Sequence, residues 1–349
     1  MIYVLAIALF LICSLTFLPV SKNEYWLIRI WDYPRKQFLL ILTVLLILFF
    51  VGYRELDVLF FSVLFFGGLA EIMLISLVFP YTKFAKLESA NAPSQQPDIR
   101  VLISNVLMEN ENYSSLILLL KEKDADIVML VETDEKWQNA LAELDVIYPF
   151  GMHHVLSNTY GIMIYSKIKV KNHEFRYIVK NSIPSFHALM ELENGKTFYF
   201  WGLHPEPPFP TISTTSAYRD AEILIVAKEI KDTPIPTIVA GDLNDVAWSY
   251  TTKLFQKESN LLDPRKGRGF FSSFHAKYFW ARWPLDHVFV SKHFEIVKME
   301  RLRSIHSDHF PIYIELNLPD THSNLENDEP NAEERGVIKE KLEQVDVKR

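Results

Sequence analysis

Apolar and polar positions divide the chain into unlike parts. Residues 1–80 are almost continuously apolar, with apolar segments at Met1–Val20, Phe38–Tyr53 and Val58–Phe79. Each approaches the ~20 residues a helix needs to cross the hydrocarbon core of a bilayer. The second is the shortest. The first lacks the basic start and small-residue cleavage site of a secretory signal, and two more apolar segments follow it. Three transmembrane helices are predicted. A buried soluble hairpin is the alternative, but such long, pure apolar runs are rare in soluble cores. From residue 98 the pattern changes. Short apolar runs at Ile99–Ser104, Ile127–Val131, Gly161–Ser166, His187–Leu192, Thr197–Leu203, Thr237–Ala240, His287–Val290 and Ile312–Leu316 predict strands. Helical patterns cover Ser114–Lys123, Glu135–Leu144, Ser213–Ile230 and Ser249–Lys257. Their alternation predicts an α/β or α+β fold with large sheets.

The joints follow from composition. Residues 81–97 end in Asn-Ala-Pro-Ser-Gln-Gln-Pro and read as a tether. Residues 318–349 are acidic, poor in large apolar residues and free of aromatics. They read as disordered, with a short helix near Glu333–Val345. The expected organisation is a membrane region over 1–80, a linker over 81–97, a globular domain over 98–317 and a tail over 318–349.

Charge narrows the partners. Net charge is −7 overall, +1 over residues 1–97, −4 over 98–317 and −4 over 318–349. The globular part lacks the basic footprint of a protein that grips long duplex DNA. The single cysteine, Cys13, lies in the apolar N-terminus and excludes a disulfide or thiolate metal site within one chain. Lys22, Arg29, Arg35 and Lys36 fall between the first two apolar segments, whereas Arg54 alone lies between the second and third. Basic loops face the cytoplasm, so the catalytic domain is expected there and the N-terminus outside. Tyr25, Trp26, Trp31 and Tyr33 suit a headgroup-level aromatic belt. Glu71 sits inside the third segment, where an acid is costly. It has either a functional role or a partner on another helix.

The strand ends carry the chemistry. Thr237-Ile-Val-Ala-Gly-Asp-Leu-Asn-Asp245 is an apolar run that stops at a glycine and then offers Asp242 and Asn244. Alone it reads as a turn. The feature recurs at Ser104-Asn105, Val131-Glu132-Thr133, Leu203-His204-Pro205, Asp286-His287 and Ser307-Asp308-His309. Ligands of layered α/β folds sit beyond the carboxyl ends of strands. Carboxylate and amide oxygens are what Mg²⁺ prefers beside a phosphate.

The ordered series S-N-V, L-V-E-T, G-I-M-I-Y-S-K, G-L-H-P, G-D-L-N-D, L-D-H-V-F-V-S and S-D-H-F-P resembles the endonuclease/exonuclease/phosphatase superfamily, with its DNase I-like fold. The resemblance spans residues 98–317. It implies a four-layer sandwich of two mostly antiparallel sheets flanked by helices, here preceded by transmembrane helices. It implies divalent-metal-dependent hydrolysis of phosphoesters with Mg²⁺ or Mn²⁺. Position by position, Glu132 resembles the acidic metal ligand, while Asn105 and Asp308 resemble residues at the metal site. Asp242 resembles the aspartate that orients or deprotonates water, and Asn244 its phosphate-binding partner. His309 resembles the histidine at the scissile phosphate, and Asp286 the acid that orients it. His204 resembles a histidine of many members that serves as acid or transition-state donor; at a strand end it is otherwise a turn. Leu243 stands where an aromatic is common in the family. His287 neighbours Asp286 on a strand and points the other way, so it is expected to be structural. Arg219 either reaches phosphate or, as a helix arginine, lies in solvent.

Family membership cannot select the substrate. The acidic domain argues against a long-duplex nuclease. The loop Asp263–Trp283 combines Arg265, Lys266, Arg268, Lys277 and Arg282 with seven aromatics. It suits an anionic headgroup at an interface, a single-stranded nucleic acid, or simple packing beside the core. The favoured expectation is hydrolysis of a phosphorylated lipid or similar small phosphoester at the bilayer. A nuclease is the alternative, and a silent membrane-tethered binding module is the second.

Overall fold

A computed structural model describes residues 2–320 and 328–346. Strands β1 (Ile99–Asn105), β2 (Ile127–Val131), β3 (Phe150–His154), β4 (Ile162–Ser166), β10 (Glu295–Arg301) and β11 (Ile312–Asn317) form one sheet, in the order β10-β11-β1-β2-β4-β3. Strands β5 (Lys169–Arg176), β6 (Ser185–Glu191), β7 (Thr197–Gly202), β8 (Thr237–Asp242) and β9 (Asp286–Val290) form the second, in chain order. The pairs β1–β2 and β7–β8 are parallel and the remainder antiparallel.

Side-chain alternation builds the layers. Val101 and Ile103 of β1 enter the core between the sheets, with Met129, Phe200 and Ile238. Leu102, between them in sequence, faces the opposite way. It packs with Leu116 and Leu120 of helix α5 (Tyr113–Lys123) and Trp137 of helix α6 (Glu135–Ala140). On the far side, Val239 and Phe289 pack with Leu224 of α7 (Ala217–Lys231) and Phe255 of α8 (Tyr250–Ser259). Four layers result, as the resemblance implied. The inner strands are buried on both faces and therefore read as continuous apolar runs. Each large core side chain contributes roughly 1.5–3 kcal/mol by burial.

The strands absent from the sequence prediction, β3, β5 and β10, are all sheet edges. Edge strands carry polar residues on a wet face, and β5 (KVKNHEFR) shows no apolar run. Two helices also differ from expectation. The Glu135–Leu144 pattern breaks at Leu141 into a 3₁₀ turn, Ala142–Val146. The Ser213–Ile230 pattern becomes helical only at Ala217, because its start pairs with the membrane loop through Trp26 N–H to Thr214 O (3.0 Å) and Ser216 N–H to Glu24 O (2.9 Å).

The N-terminal region holds three helical segments long and apolar enough to cross a membrane, Ile2–Ser21, Arg35–Gly52 and Val58–Tyr81, built on helices α1 (Ile2–Phe17), α3 (Arg35–Gly52) and α4 (Val58–Val78). A short helix, α2 (Trp26–Arg29), lies in the first loop. Leu9, Leu42, Phe49 and Leu74 form the core of the bundle. Glu71 accepts a hydrogen bond from Thr43 Oγ1 of α3 (2.5 Å), which gives the acid a partner on another helix.

Two segments expected to be loose are packed. In the linker, Tyr81 is buried and donates to Ala247 O (2.6 Å), Glu88 pairs with Lys266 (2.5 Å), and Ala92 N–H donates to Ile296 O (2.9 Å). In the tail, helix α9 (Ala332–Asp346) realises the helix expected near Glu333–Val345. Ile338 joins the α7–α8 core, and Lys341 pairs with Asp220 (2.7 Å) and Glu24 (2.6 Å). Composition understated both segments because their partners are remote in sequence. Residues 321–327 of the tail lie outside the described residues.

Candidate active site

The strand register gathers the polar ends. Asn105 closes β1 beside Val131, the residue before Glu132. Asp242 closes β8 directly opposite Asp286, which opens the antiparallel β9. His309 precedes β11, the antiparallel neighbour of β1. All these positions therefore fall at one end of the sandwich.

Local devices fix each side chain. Gly241 has φ +137°, and a Cβ there would lie 2.0 Å from Leu203 O, so only glycine lets β8 deliver Asp242 this close to β7. Glu132 and Asn244 hold left-handed backbone, φ 60° and 51°. Such non-glycine conformations are costly and concentrate at functional positions. Just beyond Glu132, Asp134 caps α6 by accepting from Trp137 N–H (2.9 Å).

The side chains form one chain of hydrogen bonds and ion pairs across both sheets. Asn105 Nδ2 donates to Glu132 Oε1 (2.7 Å) and to Asp242 Oδ2 (3.1 Å). Asp242 Oδ2 faces His309 Nε2 at 3.5 Å, and His309 Nδ1 meets Asp286 Oδ2 at 2.6 Å. Asp242 Oδ1 accepts from Asn244 N–H (2.9 Å). Phe274 lies against the His309 ring, with centroids 4.9 Å apart.

Electrostatics sorts their protonation. Burial opposes charge on His309, but Asp286 and then Asp242 outweigh it and push its pKa up to about 10. Burial raises Asp242 to about 7; Asp286 adds to the rise and His309 offsets part of it. Burial also opposes charge on Asp286, yet its contact with His309 holds it below the ordinary carboxylate value. Glu132 is raised, chiefly by burial, and Asp308 adds to the rise.

The remaining predicted residues surround this chain. Asp308 is half-buried, and its carboxylate accepts a hydrogen bond from Ser307 Oγ at 3.4 Å. His204 is buried beside Tyr160, and its Nδ1 has no hydrogen-bond partner. Burial and the His309 charge lower its pKa to about 4, so it is neutral at pH 7. Of the two roles the resemblance implied, a neutral N–H donor suits it and a charged acid does not. Asn244 turns Nδ2 onto Pro205 O (3.0 Å), tying its turn to the one that carries His204. His287 is structural: Nε2 meets Asp245 O (2.8 Å) and Nδ1 meets Arg265 (2.7 Å).

Arg219 corrects the expectation of a solvent arginine. It is 2% exposed, pairs with Asp220 (2.8 Å) and donates to Asn244 O (2.8 Å). Tyr33 Oη donates to the same carbonyl (2.9 Å). Sequence reasoning missed this role for both. Arg219 follows no strand, and Tyr33 sits in the apolar N-terminal region, so neither carries a local motif. The basic loop is also largely structural. Arg265 pairs with Asp263 (2.7 Å), Lys266 with Glu88 (2.5 Å), and Arg268 donates to Ser89 O (2.9 Å).

Fold and site together define a class of phosphoester hydrolase. Residues 102–309 match the Endonuclease/Exonuclease/phosphatase family, and the chain belongs to that family. The fold is similar to that of the human Nocturnin catalytic domain with bound sulfate anion (19% identity, TM-score 0.53, 64% of this chain and 94% of that one). It is likewise similar to D. rerio TDP2 complexed with single strand DNA product (18% identity, TM-score 0.53, 63% and 98%). An endonuclease/exonuclease/phosphatase from Beutenbergia cavernae is comparable (14% identity, TM-score 0.53, 64% and 72%). At such identities the likeness speaks for the fold alone. No curated protein matches the sequence. The family generally depends on a divalent metal, and Asp242, Asp286 and His309 offer ligand atoms within 4.8 Å of one another.

Proposed function

We propose that this enzyme hydrolyses a phosphoester presented at a membrane surface, a phosphorylated lipid or similar small phosphoester, by metal-assisted attack of water. One observation carries the reading. Tyr33, in the loop between two apolar helices, donates directly to the carbonyl of Asn244, two residues from Asp242. Trp248 Nε1 likewise donates to Asp32 O (2.7 Å). The catalytic turn is thus built on the base of the membrane region, where lipid headgroups lie.

Asp242 would take the proton of the attacking water. Its pKa near 7 suits a group that must accept and then release a proton at neutral pH. His309, held as imidazolium by Asp286, would meet the phosphoryl oxygens as their charge grows. Asn244 and neutral His204 would supply further donors.

Glu132, Asp308 and Asn105 would hold the cation, Mg²⁺ or Mn²⁺. The residues fit it: Asp308 disfavours charge on Glu132, and neither pairs with a Lys or Arg among the described residues. Oxygen donors of this kind suit a hard divalent ion. When bound, that ion supplies Lewis-acid neutralisation of the phosphate. The Asp242–Asp286–His309 cluster is the poorer cradle, because His309 Nδ1 already serves Asp286 and a protonated imidazole offers no lone pair.

The basic first loop supports a cytoplasmic side for the domain. The test is phosphate release by the full-length protein in detergent with Mg²⁺, beside Asp242→Ala. The panel holds a lipid phosphate, an inositol phosphate and a short single-stranded DNA. Release from the lipid phosphate, lost in the variant, supports the reading. Preferred turnover of DNA at physiological salt overturns the substrate class and establishes the nuclease alternative.

A further inference from the structure

Three cations lie together at the water end of helix α3 with no carboxylate to neutralise them. Arg282 and Arg301 both lie against the ring of Phe310, at 5.1 and 4.5 Å from its centroid. Lys36, in the first turn of α3, stands 5.1 Å from the Phe270 centroid and within electrostatic reach of both guanidiniums. Among the described residues none of the three forms an ion pair. Arg282 reaches only Ala276 O (3.4 Å) and Arg301 only Ser272 O (3.1 Å). Arg282 Nε is buried without any partner. Elsewhere in the same loop, Arg265 and Lys266 have found carboxylates. Clustered like charges oppose folding unless an anion joins them.

The surroundings identify the anion's source. The loop that carries Arg282 closes as Phe274 pairs with Trp283 and raises an apolar tip, Tyr278, Phe279 and Trp280, exposed by 51%, 80% and 63%. Gln37 Nε2 donates to Trp280 O (2.8 Å), which fastens that tip to the first turn of α3. Helix α3 has 18 residues. At ~1.5 Å per residue it spans roughly the hydrocarbon thickness, so its first turn lies at headgroup depth. Aromatic side chains beside basic ones at that depth are the pattern of an interfacial anchor.

We propose that Lys36, Arg282 and Arg301 form a binding site for the phosphate of an anionic membrane lipid, with Tyr278–Trp280 inserted among the neighbouring headgroups. None of the three cations belongs to the chain of polar side chains around Asp242 and His309, and the proposal does not depend on the hydrolase reading. It binds structural lipid and holds the catalytic face against the bilayer. A phosphate diester oxygen accepts the guanidinium and ammonium donors, and the exposed rings enter the interface.

The experiment is native mass spectrometry of the full-length protein in non-ionic detergent, titrated with phosphatidylglycerol or phosphatidylcholine. The wild type is expected to retain phosphatidylglycerol preferentially. Each of Lys36→Gln, Arg282→Gln and Arg301→Gln should weaken that retention by about fivefold, the effect of one basic residue at an anionic surface. Phe279→Ser, at a fully accessible position, should weaken retention of both lipids. Lys36→Gln leaves the loop untouched, so it still tests the site if an arginine variant misfolds, as its melting temperature would reveal. The measurement is repeated in Asp242→Asn, where retention should persist whether or not the protein is a lipid hydrolase. Equal retention in wild type and all three cation variants overturns the proposal. Displacement of the lipid by inorganic phosphate, with no effect of Phe279→Ser, also overturns it and marks a site for free anions.

Discussion

Tyr33 Oη lies 2.9 Å from the carbonyl oxygen of Asn244, 211 residues away in sequence. Arg219 Nη1 reaches the same oxygen at 2.8 Å. Together they hold a left-handed turn whose N–H in turn positions Asp242. Tyr33→Phe removes one donor and leaves the ring packed edge-on against Trp283. A hydrogen bond of this kind is worth about 1 kcal/mol. Phosphoester hydrolysis is expected to fall about fivefold in kcat with little change in melting temperature, as steady-state kinetics would show. An unchanged kcat would mean that Arg219 suffices.

Removing Asp242 should have a larger effect. General base catalysis contributes ~10²–10⁴-fold, so Asp242→Asn is expected to lower kcat by that factor while retaining the fold. Asn105→Ala should also impair turnover, because Asn105 alone bridges Glu132 and Asp242. Comparing the two variants under single-turnover conditions separates proton abstraction from alignment.

Metal removal gives an independent check. Chelation should abolish phosphate release, and Mg²⁺ should restore it. Mg²⁺ should also raise the melting temperature of the wild type, since a ligand bound only to the folded state stabilises it. Glu132→Gln and Asp308→Asn should each shrink that shift. An undiminished shift in both would move the ion to the Asp242–Asp286–His309 cluster.

Lys341 of α9 reaches the site through a relay of charges. It pairs with Asp220, which pairs with Arg219, which holds Asn244. These contacts and Arg29 keep the Asp220 carboxyl well below its ordinary range, against the cost of burial. Lys341→Ala leaves that carboxylate with fewer partners. Breaking a buried pair costs about 3 kcal/mol, so a clear fall in melting temperature is expected, with reduced hydrolysis. Calorimetry and kinetics on one preparation would test both.

Glu222 is fully buried on α7, donor-bonded by Ser185 Oγ (2.7 Å), and burial raises its pKa to about 7. Between its ordinary value, 4.5, and about 7, the folded state binds a proton that the unfolded chain has lost. Stability therefore falls as pH rises across that window, and the loss is complete above about 7. Glu222→Gln should remove this component, worth at most about 3 kcal/mol. Melting temperatures of wild type and variant should diverge from pH 5 to 7, with the wild type losing more.

Much of this protein was readable from local pattern. Ile127–Val131 and Thr237–Ala240 read as strands because they are buried on both faces, so every residue but Thr237 is apolar. Asn105, Glu132, Asp242, Asp286 and His309 were legible because each ends or begins such a run, and the abrupt change to polar side chains marks the rim. The three long apolar helices announced themselves by length and purity alone. The edge strand Lys169–Arg176 did not, because solvent on its outer face permits almost any residue.

Composition along the chain thus decided the layered fold, the three apolar helices and the inventory of polar side chains at the strand ends. Those depend on periodicity and burial, which neighbouring residues encode. Tertiary structure alone decided which polar groups meet. It packed the 81–97 segment and the tail helix onto the domain, and it buried Arg219. It spent Arg265, Lys266 and Arg268 on structure while leaving Lys36, Arg282 and Arg301 without an ion pair among the described residues. It set Tyr33 of the first interhelical loop against the turn that follows Asp242. Hydrogen bonds and ion pairs act over about 3 Å, and partners hundreds of residues apart come within that distance only once the sheets have packed.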